Sequence, residues 1–312
     1  MLETLGTANF VLLSIWFVLS LALLTLRTPL KFLLEKLDPN QASTILMLVL
    51  AIPVLVSLAV TLLLYYPQIG SFFLVLHCHG PACEEHLPVG HLPQLGPLSL
   101  IITATALALV AVKSWQDGRT NLRFGNGIRG LCKTRAGFWE IDEQTPLAFT
   151  SGLFKPQIVV STGLLKQCSK KEVDIILLHE QGHRLNRDNL RILLARLLSL
   201  PMPGARYFIS ELCLCIEKSC DLRSCQHHEP GDVARCILKL AAASKSQSSA
   251  IYCAFAKESV EQRVKNLLGP SPLTLPKSVS FSLSCVAAAA LCLSVTPLHH
   301  YVEWLMLGLT QH

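Results

Sequence analysis

Charged residues are scarce in this chain. Asp, Glu, Lys and Arg together make up only 15% of the 312 residues, whereas hydrophobic residues make up 51% and the mean hydropathy is +0.45. Soluble domains carry about 25% charged residues. The composition therefore excludes an ordinary soluble protein of this length and predicts an integral membrane protein.

Long stretches have no charged residue at all. Four of them come close to or exceed the roughly 20 apolar residues that a helix needs to cross the hydrocarbon core. They predict transmembrane helices at about 8–26, 43–66, 95–112 and 279–298. The third stretch is the shortest, so a re-entrant or tilted segment is the alternative there. The fourth is rich in Ala and Ser, which suits close helix packing; its alternative is a buried helix of a soluble core.

The N-terminus lacks both a basic leader and a small-residue cleavage site, and carries Glu3 instead. It is therefore interpreted as a retained first span rather than a secretory signal. All 27 Lys and Arg residues lie either between Arg27 and Lys36 or between Lys113 and Lys277. By the positive-inside rule these two windows are cytoplasmic, so both termini and the loop at 67–94 face outward.

These boundaries give a plan for the whole chain. A membrane region at 1–112 holds three transmembrane helices and the outer loop, a cytosolic domain follows at 113–277, and a fourth transmembrane helix with a short outer tail occupies 278–312. The fold class is mainly α, an integral membrane protein with an inserted α+β domain. Cations of the insert are dispersed among acids, so no direct nucleic-acid partner is expected.

Secondary structure within the insert can be read from turn and cap signals. Residues 146–165 have Gly and Pro between short β-branched runs, which predicts a hairpin or a pair of strands. Ser169 and Glu172 form a capping box, and helical spacing then continues until Pro201. Further helices are predicted at about 205–224, 233–244 and 259–268.

The long helix after Ser169 contains the sequence HEQGH at 179–183. His179 and His183 are four residues apart, so both side chains project from one face and can bind one metal ion. Glu180 can then accept a proton from water bound to that ion. The alternative is a surface helix whose histidines are coincidental.

A catalytic zinc needs a third protein ligand and an open position for water. Glu217 is the preferred ligand, because it lies on the next predicted helix one turn before Asp221. Asp221 would accept a hydrogen bond from the ring nitrogen of one histidine that does not bind the metal. Cys220 is the rival ligand, with other candidates nearby at Cys213, Cys225, His227 and His228. These cysteines can equally be small buried hydrophobes.

The residues resemble a known family as a set. The stretches AFTSGLFKPQIVVSTGLL, LLHEQGHRLNRDNL, EKSCD and EQRVKNLL are similar to the metallopeptidase domain of BlaR/MecR-type membrane sensor-transducers, and more distantly to the wider gluzincin group. The resemblance implies a gluzincin-like zinc metallopeptidase domain in a bacterial cytoplasmic membrane. It further implies one Zn²⁺ that is held by His179, His183 and Glu217. Glu180 would be the catalytic base, and Asp221 would form a hydrogen bond to one of the ligating histidines. Only about a dozen residues follow the last predicted span, so no penicillin-binding sensor domain is expected.

The predicted outer loop is rich in metal-binding residue types, reading HCHGPACEEHLPVGH at 77–91. Nitrogen and sulfur ligands at this density suit zinc, copper or nickel. A disulfide between Cys78 and Cys83 is the alternative, since an oxidising compartment favours it. The candidate residues for a metal site or disulfide here are His77, Cys78, His79, Cys83 and His86.

The sequence thus predicts an integral-membrane zinc endopeptidase that cuts a cytosolic or membrane-associated protein. A transcriptional repressor is the substrate that the resemblance suggests. The alternative function is a non-catalytic membrane sensor or scaffold, for example one that senses periplasmic metal ions. The donor that would steady the oxyanion stays open among Tyr207, His227, His228 and several arginines. The predicted partners are the protein substrate, the lipid bilayer and, in a homodimer, a second copy.

Overall fold

The computed structural model describes residues 2–65, 95–109, 111–112, 132–135, 137–199, 202–244, 250–276, 301 and 304. The predicted outer loop with its candidate metal or disulfide residues, and the predicted fourth span at 279–298, lie outside these residues.

Three helices form the first part of the chain: α1 (Leu2–Thr25), α2 (Arg27–Leu34) and α3 (Pro39–Tyr65). In α1 and α3, the segments Thr4–Thr25 and Pro39–Tyr65 are long and apolar enough to cross a membrane, and they cover most of the first two predicted spans. Asp38 caps α3, because its carboxylate accepts hydrogen bonds from the backbone N–H groups of Asn40 (3.0 Å) and Gln41 (3.1 Å).

A shorter apolar helix, α4 (Leu95–Leu109), lies where the third span is predicted. It packs closely on α1, since a Cβ added to Gly6 would lie 2.9 Å from the carbonyl carbon of Gly96. Asn9 of α1 donates hydrogen bonds to Ser99 (3.1 Å) and Thr103 (3.0 Å) of α4. Small residues and interhelical hydrogen bonds are typical of helix pairs inside a bilayer.

The insert contains a four-stranded sheet of β1 (Lys133–Arg135), β2 (Phe138–Ile141), β3 (Ala148–Ser151) and β4 (Gln157–Ser161). The strand order is β1-β2-β4-β3, with β2 parallel to β4 and β3 antiparallel to it. The predicted pair of strands within 146–165 is therefore present as β3 and β4. Because β3 lies at an edge, one side of it has no neighbouring strand among the described residues.

Among the described residues, six helices follow the sheet: α5 (Thr162–Gln167), α6 (Lys170–Asn186), α7 (Asp188–Leu198), α8 (Ala205–Ser224), α9 (Pro230–Ser244) and α10 (Ala250–Leu268). The capping box at Ser169 is present in full, with the Glu172 side chain accepting from the Ser169 backbone N–H. The three later helices were predicted, although α9 and α10 begin earlier than expected.

The single helix predicted from Ser169 to Pro201 is wrong. The chain breaks at Arg187, whose left-handed backbone (φ 52°, ψ 47°) ends α6 and lets α7 begin at Asp188. Apolar residues continue at helical spacing on both sides of this one-residue turn, so the pattern gives no sign of it. His183 consequently lies in the last turn of α6 rather than in the middle of a longer helix.

Helix α8 joins α3 to the part of the chain that follows the sheet. Phe208 and Leu212 in its first half pack in one buried cluster with Leu46 and Leu50 of α3. Its second half packs against α6 and α10. A second cluster behind the sheet includes Val160, Leu164, Ile176, Val233 and Leu267.

Candidate metal centre

Two histidines of α6 and one glutamate of α8 converge on one point. The Nε2 atoms of His179 and His183 are 3.2 Å apart. The Glu217 carboxylate lies 3.4 Å from the His179 Nε2 atom and 3.6 Å from the His183 Nε2 atom. The structure therefore brings together the three side chains that the sequence predicts as ligands.

The donor set fits a zinc ion. With metal–ligand bonds of about 2.0–2.1 Å, a tetrahedral ion places its ligand atoms about 3.3 Å apart. The closest separations between the three side chains, 3.2–3.6 Å, lie around that value, with one Glu217 oxygen facing His179 and the other facing His183. Two neutral imidazoles and one carboxylate are also the ligand types of a catalytic zinc with an open fourth position.

Gly182 allows α6 and α8 to come close enough for this convergence. A Cβ added at Gly182 would lie 2.8 Å from the Sγ atom of Cys220 and 3.3 Å from its Cα atom. A residue with a side chain would push the two helices apart. This role of the glycine in HEQGH was not predicted from the sequence.

Each histidine is held from behind by a buried carboxylate. The Nδ1 atom of His179 lies 3.0 Å from Asp221, the residue that the sequence suggested for this place, and the Nδ1 atom of His183 lies 2.9 Å from Asp188, which was not predicted. Both carboxylates are about 1% exposed. If each Nδ1 carries the proton, both Nε2 atoms are free to bind a metal.

Arg263 of α10 completes the arrangement and was also missed. Its Nε and Nη2 atoms donate to the two oxygens of Asp221 at 2.7 Å each, and its Nη1 atom lies 3.1 Å from Glu217. A bidentate pair of this kind fixes both side chains. The segment EQRVKNLL contains this arginine, but its partners lie more than 40 residues earlier.

Charge interactions at the site are strong in the absence of a metal. Burial alone would lower the pKa of His179, but hydrogen bonds to Asp221 and Glu217 outweigh it and raise the pKa to about 10. For Glu217, burial would raise the pKa, yet the hydrogen bond from His179 and the nearby cations hold it well below its usual range. Without a metal, His179 therefore keeps a proton between two carboxylates.

Cys220 is less suited to bind the ion than Glu217. Its Sγ atom lies 3.5 Å from the Nδ1 atom of His183, on the side of the ring that already faces Asp188. Burial, followed by the charge of Asp188, raises the thiol pKa far above its usual value. Since zinc binds the thiolate, this geometry favours Glu217.

Glu180 is buried beside the metal-binding atoms. One of its carboxylate oxygens lies within 4.8 Å of ring nitrogens of both histidines. Thr150 of β3 donates its hydroxyl hydrogen to the Glu180 carboxylate (2.8 Å), and the same hydroxyl is 3.0 Å from the Glu180 carbonyl oxygen. Thr150, which was not predicted from the sequence, thus orients Glu180, the residue that the sequence predicts as the base.

The site opens into a cavity of about 970 Å³. Residues of β3, α6, α9 and α10 line it. Among the predicted oxyanion donors, Tyr207 faces the Arg27 carbonyl (3.4 Å) and His228 pairs with Asp174 (2.8 Å). Neither of these two side chains lines the cavity, whereas Arg263 does.

A helix pair that presents two histidines, a glutamate beside them and a carboxylate from the second helix, next to an edge strand, is an arrangement that suits a metallopeptidase. Residues 141–267 match the family described as BlaR1 peptidase M56. The match lies within the part of the chain that holds the candidate metal centre, and it confirms the predicted resemblance to this family. A comparison with curated proteins gave no significant match. Together with the two long apolar helices, the match indicates a membrane peptidase.

Proposed function

We propose that this protein is an integral-membrane zinc endopeptidase that hydrolyses peptide bonds of a cytosolic or membrane-associated protein. The observation that carries the proposal is the convergence of His179, His183 and Glu217 at tetrahedral spacing, with Glu180 buried beside them. When bound, a zinc ion would polarise the scissile carbonyl and lower the pKa of its water ligand.

Glu180 is then the group that moves protons. Its carboxylate accepts a proton from the attacking water and delivers it to the leaving amine. The Thr150 hydroxyl keeps that carboxylate aimed toward the two ring nitrogens. Arg263 lies in the cavity wall with its Nη1 atom 3.1 Å from Glu217, so it is the proposed cation that steadies a developing oxyanion, although its hydrogen bonds already go to Asp221 and Glu217.

The substrate chain would bind as a further strand beside β3. Ser161 N–H donates to the Leu147 carbonyl (2.9 Å), so Leu147, and Phe149 two residues on, face β4. The backbone groups of Ala148 and Thr150 therefore point toward the open edge. The Asn189 side chain donates to the Thr150 carbonyl (2.9 Å), which leaves the Ala148 groups and the Thr150 N–H to pair with a peptide.

Two contacts support a site at the cytosolic membrane surface. The strand-like segment at Leu273 pairs with Leu37, and the Gln41 side chain bonds both backbone groups of Leu275 at 2.8 Å. The start of α3 and the segment that leads to the predicted fourth span thus lie together, as a four-span chain with a cytosolic insert requires. A repressor or membrane-bound regulator in signal transduction is the substrate class that fits this location.

The test compares native protein with Glu180→Gln and His179→Ala variants in cells. Glu180→Gln keeps an acceptor for Thr150 but cannot take up a proton, so zinc content should persist while substrate fragments disappear from the cytosolic and membrane proteomes. His179→Ala should lose both the metal and the fragments. Fragments that persist with Glu180→Gln would refute the role of this residue as base, and a native protein that binds zinc without producing fragments would favour the non-catalytic sensor.

A further inference from the structure

A continuous chain of hydrogen bonds runs from the candidate metal centre to a membrane helix. His183 bonds Asp188 (2.9 Å), Asp188 accepts from Arg191 (3.1 Å), and Arg191 donates to the hydroxyl of Ser43 (2.8 Å). Ser43 in turn donates to the Asn40 carbonyl at 2.8 Å. Ser43 lies in the first turns of α3, so this chain connects three helices.

The residues that form this chain of hydrogen bonds are shielded from water. Ser43 is 0% exposed and Asp188 is 1% exposed, while the Arg191 side chain is 20% exposed. Asp188 holds its place because the left-handed turn at Arg187 starts α7 immediately behind the last turn of α6. Arg191, one turn later, then lies on the same face of α7 as Asp188.

The direction of every bond in the chain is fixed. The single hydroxyl hydrogen of Ser43 goes to the Asn40 carbonyl, so Ser43 can only accept from Arg191. A guanidinium only donates, and an ionised carboxylate only accepts. Asp188 must therefore receive hydrogen bonds from both sides, and His183 must carry its proton on Nδ1. Only in that tautomer is the Nε2 atom of His183 free to bind a metal.

We propose that Ser43, Arg191 and Asp188 are positioning residues through which the membrane helix α3 sets the tautomer and orientation of His183. This inference rests on the proposed zinc site. A membrane span would then be part of the support of the metal centre rather than only its anchor. A change in the position of α3 relative to α7 would weaken metal binding.

The test measures zinc affinity of the full chain in detergent, by competition with a chromophoric chelator, and the visible spectrum of the cobalt-substituted protein. Ser43→Ala leaves a shielded guanidinium N–H without its partner, so we expect about 3- to 10-fold weaker zinc binding and a changed cobalt spectrum. Asp188→Asn can turn its amide N–H toward His183 and favour the wrong tautomer, so a loss of about 10- to 100-fold is expected.

Ser57→Ala is the matched control. Ser57 lies in the same helix and is 1% exposed, and its hydroxyl donates to the Val54 carbonyl within the helix, at 3.1 Å. We expect this variant to bind zinc like the native protein, and Ser43→Thr to restore the native affinity and spectrum. If Ser43→Ala does not fold, Arg191→Lys is measured instead. We expect the same weaker zinc binding and changed cobalt spectrum, because a lysine cannot bridge Asp188 and Ser43 as the guanidinium does.

The failure of this inference is distinct from the failure of the proposed function. Native zinc affinity and an unchanged cobalt spectrum in Ser43→Ala or, if that variant does not fold, in Arg191→Lys would overturn the inference and leave the zinc peptidase intact. A native protein that binds no zinc would instead overturn the proposed function and this inference with it.

Discussion

Replacing Gly182 by alanine tests whether the close contact of α6 and α8 builds the metal centre. The added Cβ would lie 2.8 Å from the Sγ atom of Cys220 and 3.3 Å from its Cα and Cβ atoms. The thiol can rotate away from such a contact, but the Cα atom is backbone and moves only with α8. The substitution therefore displaces the helix that carries Glu217.

Two effects of this substitution have opposite signs. Alanine is a better helix former than glycine by up to about 1 kcal/mol. Overpacking of a well-filled contact typically costs about 1–3 kcal/mol. Because the added Cβ would lie too close to a backbone atom, we expect the packing cost to exceed the gain in helix propensity. The free energy of unfolding should then fall by about 1 kcal/mol. Because Glu217 lies one turn before Cys220, zinc affinity should fall about tenfold as well.

The assay is thermal unfolding of the detergent-solubilised chain with and without zinc, together with zinc affinity. Gly231→Ala in the first turn of α9 is the control, since a Cβ there would meet nothing within 4 Å. It should leave zinc affinity unchanged and stability equal or slightly higher. Cys220→Ala added to Gly182→Ala should recover part of the loss. If Gly182→Ala behaves like the control, the steric reasoning is wrong.

Two further predictions concern the base and a histidine. Thr150→Val removes the hydroxyl that holds Glu180, so kcat/KM on a peptide substrate should fall about tenfold while zinc affinity stays unchanged. Thr150→Ser keeps the hydroxyl and should retain activity. Equal rates in the two variants would contradict this role of the hydroxyl. The raised pKa of His179, about 10 in the metal-free protein, means that zinc must displace a proton below that pH. Apparent zinc affinity should therefore rise by about tenfold per pH unit between pH 7 and 9, with about one proton released per ion. Calorimetry in buffers of different ionisation enthalpy measures that release, and a pH-independent affinity would exclude it.

Local signals allowed much of the site to be predicted. The capping box at Ser169 depends on residues three apart, and the spacing of His179 and His183 depends on a single helix period, so a short stretch of sequence contains each of them. Glu217 and Asp221 were recognisable because they too are one turn apart, on a helix with clear ends.

The remaining parts depend on contacts between distant segments. Arg263 reaches Asp221 across 42 positions, and Arg191 reaches Ser43 across 148. No periodic pattern specifies such a pair. Asp188 was missed for a different reason: the turn at Arg187 is hidden by apolar spacing that continues through it, and within one unbroken helix His183 and Asp188 would have faced different sides.

The charge of the finished site gives an independent reason to expect a divalent cation. Four carboxylates and two guanidiniums lie in contact with or beside the two histidines: Glu180, Asp188, Glu217, Asp221, Arg191 and Arg263. With neutral histidines this set carries two excess negative charges, a state that is costly where its members are shielded from water. The proton on His179 removes only one of them in the metal-free protein. A divalent ion removes both and can be bound by the same three side chains, and a scaffold with no use for metal would gain nothing from keeping so many acids together.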